Sequence, residues 1–173
     1  MPNVPTNAAG DWSRLVVNAQ IATALTEIEA RCWQTGNNEW RLPGKQTGVH
    51  AFFTGPAGTG KTLAATILAA RLGRVLIRID LGAVVSKYIG ETEKNLRRVF
   101  ENAARDDVVL LFDEADTLFG KRTEVRDAHD RFANMDVNFL LQAIENWHGL
   151  VALTSNAPQH IDPAFLRHMH TVI

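Results

Sequence analysis

The chain has 173 residues, 46% of them hydrophobic and 21% charged, which suits one globular domain with a substantial core and excludes global disorder. Eighteen Lys and Arg against 19 Asp and Glu leave a formal charge of −1, so bulk electrostatics makes no case for nucleic acid or a membrane surface as partner. One cysteine, Cys32, excludes an internal disulfide or a cysteine-based metal cluster.

Residues 1–12, with Pro2, Asn3, Pro5, Asn7 and Gly10, read as a flexible leader with neither the basic start nor the apolar middle of a signal peptide. Ile21, Leu25, Ile28 and Cys32 recur at helical spacing and predict a helix from Ser13 to Trp33, with Cys32 as a small apolar residue on its inner face. That helix and a polar loop containing Pro43-Gly44 fill residues 13–48. From Val49 onward short apolar runs alternate with helical stretches. His50 to Thr54, Val75 to Ile79, Val108 to Phe112 and Leu150 to Thr154 are strands by this reading. Helices are predicted over Lys61 to Leu72, through Leu96 to Phe100, and through Phe132, Met135, Phe139, Ala143 and Trp147. Thr171-Val172-Ile173 enters a fifth strand. This rhythm implies an α/β fold: a parallel sheet with helices on both faces, over residues 49–173. No apolar run approaches the ~20 residues that cross a bilayer, so a cytoplasmic location is expected.

Gly55-Pro56-Ala57-Gly58-Thr59-Gly60-Lys61-Thr62 fits GxxxxGK[ST] and lies between a predicted strand and a predicted helix, the context that a P-loop requires. Glycines let the backbone curl so that successive N–H groups and the positive helix end face a triphosphate. Lys61 would reach the terminal phosphates and the Thr62 hydroxyl would ligate Mg²⁺. With Leu63, these residues form the predicted ATP cradle.

Asp113 and Glu114 follow an apolar run, at the carboxyl end of a central strand, where open α/β sheets gather ligand chemistry. Successive strand residues point opposite ways, so one carboxylate can serve the metal and the other the space beyond the γ-phosphate. Asp113 is the metal-side candidate and Glu114 the base or water-positioning candidate. Asp116 reads as a helix N-cap.

The two motifs, with Thr154-Ser155-Asn156 on the next strand, resemble an AAA+ ATPase over most of Val49 to Ile173. The resemblance implies a P-loop NTPase fold, the AAA+ large subdomain, with a five-stranded parallel sheet in which the P-loop strand adjoins the strand ending in Asn156. Asn156 would be the sensor 1 residue that helps orient the attacking water. Ser86 to Leu96 is similar to the substrate-facing segment of protein-remodelling AAA proteins. By that likeness Lys87, Tyr88, Ile89 and Gly90 would form a pore loop that grips a polypeptide in the channel of a hexameric homo-oligomer. Phe119 to Arg122 and His129 to Asn134 resemble the segment carrying the second pore loop. Together these segments most resemble bacterial AAA ATPases that accompany contractile injection or phage-tail-like systems.

Ile161 to His170 is similar to the second region of homology, which brings arginine fingers to a neighbouring subunit's γ-phosphate. Relatives commonly carry an arginine where His168 stands or near the place of His170, so here either Arg167 serves as the finger in trans or the finger function is impaired. A neutral imidazole lacks the planar, permanently charged fork of guanidinium. The family's helical lid would follow the fifth strand, so the lid is expected to be absent from this chain. The Asp11-Trp12 region would lie beside the adenine. The implied function is Mg²⁺-dependent ATP hydrolysis coupled to protein remodelling. The alternatives are a nucleotide-binding scaffold with little turnover, and a small-molecule kinase.

Overall fold

A computed structural model describes residues 10–36, 48–84, 91–103, 107–119 and 128–173, with backbone alone at 35–36 and 128–135. Five parallel strands form one sheet: β1 (Val49–Thr54), β2 (Val75–Asp80), β3 (Val108–Asp113), β4 (Leu150–Ser155) and β5 (Thr171–Val172). Their order is β2-β3-β4-β1-β5, so the P-loop strand lies between the Asn156 strand and the fifth strand. The resemblance implied that adjacency, and the pairing of Val49 with Leu150 through Thr54 with Ser155 establishes it.

The central strands are apolar on both faces because both faces are covered. Alternate residues Phe52, Leu110, Phe112, Val151 and Leu153 pack on one side, with Leu96, Leu140, Ile144 and Phe165. These last come from helices α4 (Glu91–Ala103), α6 (Ala128–Glu145) and α7 (Pro163–Leu166), the short α3 (Leu81–Val84) preceding α4. Ala51, Phe53, Val109, Leu111 and Ala152 face the other way. They meet α1 (Ala19–Gly36) and α2 (Lys61–Arg71) through Leu25, Ile28, Cys32, Ala65 and Leu68. Cys32 is buried, and desolvation pushes its thiol up to about 11, so it is an inert core residue. Fully burying each large apolar side chain contributes roughly 1.5–3 kcal/mol relative to exposure.

The first helix differs from expectation. A 3₁₀ turn over Trp12–Arg14 comes first, capped by Asp11, whose carboxylate accepts from Ser13 N at 2.8 Å. The long helix starts only at Ala19, where Asn18 caps it: Asn18 Oδ1 accepts from Ile21 N at 2.9 Å. The apolar period alone cannot see this break; the capping side chains set it. Residues 10–12 lie against α2, with Arg71 donating to the Gly10 carbonyl at 3.4 Å. Trp12 and Leu15 pack on the α1–α2 core.

Helix α2 is rich in alanine and leucine, strong helix formers, and ends in a Schellman turn. There Gly73, at φ +68°, donates to Ala70 O at 3.1 Å while Arg74 N donates to Ala69 O at 2.9 Å.

Three histidines meet at the start of β1. His50 is buried, its N–H donates to His170 Nδ1 at 3.0 Å, and its own Nδ1 lies 3.1 Å from the His168 carbonyl. Desolvation lowers the pKa of His50 and of His170; His170 adds to the effect at His50, and Arg31 at His170. The unfolded chain therefore takes up protons at higher pH than the folded one does. Stability is complete above the ordinary imidazole value of about 6.5 and falls as pH drops below it. Denaturant midpoints are expected to be lower at pH 5.5 than at pH 7.5, with a smaller difference in His50→Phe. A midpoint that is flat over this range in the unaltered chain would exclude the effect.

Candidate functional site

The link from β1 to α2 runs through Gly55, Gly58 and Gly60, all at positive φ (+138°, +83° and +91°). Glycine reaches these conformations without steric cost, and the loop curls back over the helix start. Gly60 is the N-cap of α2 and offers no side-chain acceptor, so the first-turn N–H groups have no side-chain cap. At Gly58 an added Cβ would meet nothing within 4 Å, whereas at Gly60 it would stand 2.5 Å from Leu15 Cδ1. The loop at Gly58 thus faces open space, and Leu15 buttresses its base.

Lys61 Nζ donates to the carbonyls of Gly55 and Pro56, at 2.7 and 2.8 Å. Desolvation lowers its pKa, opposed by the charges of Asp113 and Asp116. The ammonium therefore sits inside the loop, on the side facing the acidic strand end. Thr59 Oγ1 donates to the Pro56 carbonyl at 2.9 Å and tightens the turn. The Thr62 hydroxyl has no hydrogen-bond partner among the described residues.

Asp113 ends β3, in register with Asp80 of β2. Thr154 Oγ1 donates to Asp113 Oδ1 and lies 3.4 Å from Glu114 N. Arg78, from β2, grips Oδ2 with Nε at 2.8 Å and Nη2 at 2.6 Å. Glu114 then adopts φ +59°, the one non-glycine residue at positive φ among those described. Such a conformation costs of order 1–3 kcal/mol and persists where the surroundings hold it. Here Ala115 N donates to Thr154 O at 2.8 Å, fixing the turn from β3 into the short helix α5 (Asp116–Phe119). The turn leaves Glu114 exposed, with Oε2 3.4 Å from the Cβ position of Gly82, beside Asp80 Oδ1. The two carboxylates thus have different neighbours, and at Glu114, which lies past the end of β3 at a left-handed φ, it is this kink and not strand alternation that sets the direction.

Asp116 corrects an expectation. It occupies the first turn of α5 and accepts from the Ser155 hydroxyl at 2.7 Å, tying the end of β4 to α5 instead of capping the helix. Asn156 stands just beyond β4, exposed, on the same sheet edge. Arg167 follows α7, exposed and with no ion-pair partner among the described residues. Its neighbours are engaged inside the chain: His168 Nδ1 lies 2.6 Å from Glu145 Oε1, and His170 accepts from His50. Lys87, Tyr88, Ile89 and Gly90 lie outside the described residues, as do Gly120 to Arg122.

Sequence reasoning passes over Arg78 and Thr154. An arginine inside the apolar run Val75 to Ile79 was the signal for the first. For the second it was the polar triplet Thr154-Ser155-Asn156, all three of whose side chains belong to this edge although Asn156 alone drew a role.

The open loop, the uncapped helix start and the inward ammonium fit a polyphosphate. A free Thr62 hydroxyl and the Asp113 carboxylate are hard oxygen donors of the kind Mg²⁺ takes alongside phosphate oxygens. Among the described residues no group of three or more His, Cys, Asp or Glu could hold a metal without such help, and no helix is long and apolar enough to cross a membrane.

Residues 51–173 match the family described as "ATPase family associated with various cellular activities (AAA)". The chain is 37% identical over 138 residues to an uncharacterized AAA family ATPase, y4kL, of Sinorhizobium fredii, covering 79% of this chain and 41% of that protein. It is 40% identical over 116 residues to the ATPase family gene 2 protein of Schizosaccharomyces pombe, covering 65% of this chain and 14% of that one. The 26S proteasome subunit RPT4 of Saccharomyces cerevisiae is 34% identical over 118 residues, 65% of this chain and 27% of its own length. The chain spans less than half the length of each of these relatives.

Proposed function

The chain belongs to the AAA ATPase family, and from that membership and the site geometry we propose that it binds Mg·ATP in the Gly55–Thr62 loop and hydrolyses it. One observation carries the reading: the P-loop, the carboxylates of Asp113 and Glu114, and Asn156 all lie at one edge of one parallel sheet. Lys61 and the loop N–H groups hold the phosphates, with Leu63 in the turn behind them. Thr62 and Asp113 hold the metal, which supplies charge neutralisation at the phosphates when bound. Glu114 positions the attacking water and draws off its proton, while Asn156 orients the same water. Catalysis is then mostly positioning and charge stabilisation.

Arg167 is the charge this chain can offer to a neighbouring subunit. Its exposure and its lack of an ion-pair partner among the described residues support that role, and the internal pairing of His168 and His170 removes them as competitors. Completion in trans implies a homo-oligomer, in the form of the family a hexameric ring. Coupling to a polypeptide would run through Lys87, Tyr88, Ile89 and Gly90, and the residue pattern Ser86 to Leu96 supports this. The same pattern supports kinship with bacterial AAA ATPases of contractile injection systems, working in the cytoplasm. Residues 1–12, 13–48 and 49–173 are then leader, N-terminal helix with its loop, and large subdomain.

Phosphate release measured across a range of protein concentrations tests the reading. Specific activity is expected to rise with concentration in the unaltered chain and to lose that rise in Arg167→Ala. Nucleotide binding without turnover at any concentration would favour the scaffold reading instead.

A further inference from the structure

Arg78 is a charged residue in the edge strand, and its two-pronged contact with Asp113 has no place in the reading above. Register sets Arg78 beside Leu111, two residues before Asp113, and the side chain spans that offset to reach Oδ2 with both Nε and Nη2. The pair is lopsided: the Arg78 side chain is 62% exposed and that of Asp113 only 13%. A carboxylate so enclosed needs a counter-charge, whereas an exposed guanidinium can leave for water at little cost. Lys61 does not supply that counter-charge by contact, because its ammonium is spent on the carbonyls of Gly55 and Pro56. Among the described residues Arg78 is the ion-pair partner of Asp113.

We propose that Arg78 is a tethered counter-cation of the metal-side carboxylate, which holds Asp113 in the nucleotide-free chain and is exchanged for Mg²⁺ when nucleotide loads. The proposal rests on Asp113 being on the metal side of a nucleotide site. A guanidinium on Oδ2 competes with a dication for the same negative charge and repels it at a few ångströms. Thr154 meanwhile stays on Oδ1 and keeps the carboxylate oriented through the exchange. Arg78 thereby sets the magnesium concentration at which the site fills. It is a positioning residue, acting on the metal through Asp113.

The test is the affinity of a non-hydrolysable ATP analogue, measured by calorimetry on the full chain as a function of free Mg²⁺. In Arg78→Ala the half-saturating Mg²⁺ concentration is expected to fall by roughly ten- to thirtyfold, as removal of one like charge a few ångströms from a dication predicts at a dielectric near that of water, where an exposed guanidinium sits. Arg78→Lys, which keeps the charge without the fork, should shift it less. In EDTA the same variants should bind the metal-free analogue no better than the unaltered chain. An unchanged or raised Mg²⁺ requirement in Arg78→Ala overturns the proposal, because a clamp that merely shapes Asp113 would weaken metal binding when lost. Tightening in EDTA as well as in Mg²⁺ also overturns it.

A second readout needs no nucleotide. Denaturation in EDTA of Arg78→Ala, Asp113→Asn and the double variant is expected to be non-additive, the double variant losing less than the two single ones together. Strict additivity rejects the holding contact. If the unaltered chain binds no analogue at any Mg²⁺ concentration, the nucleotide reading fails and the exchange fails with it; binding with an unmoved Mg²⁺ midpoint sinks the exchange alone.

Discussion

Glu114→Gln is expected to keep nucleotide affinity within about twofold and to lower phosphate release by roughly two to four orders of magnitude, the usual contribution of a positioned general base. Binding is expected to survive because the groups proposed to hold the phosphates lie on the loop and the start of α2, whereas Glu114 lies beyond the end of β3. Turnover fails because an amide of the same shape accepts no proton from water at the required point. The backbone at Glu114 sharpens the expectation. Its φ of +59° is imposed by the Ala115 N to Thr154 O bond and the start of α5, not by the side chain. Glutamine tolerates that conformation about as well as glutamate, so the substitution tests chemistry without disturbing the turn. Single-turnover phosphate release beside equilibrium binding of the analogue separates the two effects. Hydrolysis at the unaltered rate would remove Glu114 from the base role.

Much of this arrangement was legible in the residues, and the part that was not has a physical reason. Strands β1, β3 and β4 are apolar on both faces, so their runs are continuous and stand out. The P-loop was equally plain, because its glycines serve a backbone shape that other residues reach poorly. Pairings between strands distant in sequence were not visible. Thr154 meets Asp113 from β4, Arg78 meets it from β2, and Ser155 meets Asp116 across the same edge. Each contact depends on strand order, which local periodicity does not carry. The start of α1 departs from its apolar period for a different reason: a single capping side chain, Asn18, decides it against a pattern that runs on.

Lys61→Ala is expected to reduce ATP-analogue affinity by roughly a hundredfold or more, the consequence of losing a charge-assisted contact worth about 1.5–3 kcal/mol and the local positive potential with it. The loop geometry shows why the loss is specific. Lys61 Nζ already lies within the loop, on the carbonyls of Gly55 and Pro56, so binding requires only that the ammonium turn from neutral acceptors to charged ones. Its lowered pKa has desolvation as the leading cause, and a phosphate beside it would reverse that by favouring the charged form. Proton uptake on binding is therefore expected near the upper end of the pH range, where the free ammonium begins to titrate, and should vanish in Lys61→Ala. The fold should survive, since α2 keeps its buried Ala64, Ala65, Ile67 and Leu68 and its Schellman end. Calorimetry in buffers of different ionisation enthalpy reads affinity and proton uptake together. Affinity within threefold of the unaltered chain would mean that the loop N–H groups hold the phosphates without Lys61.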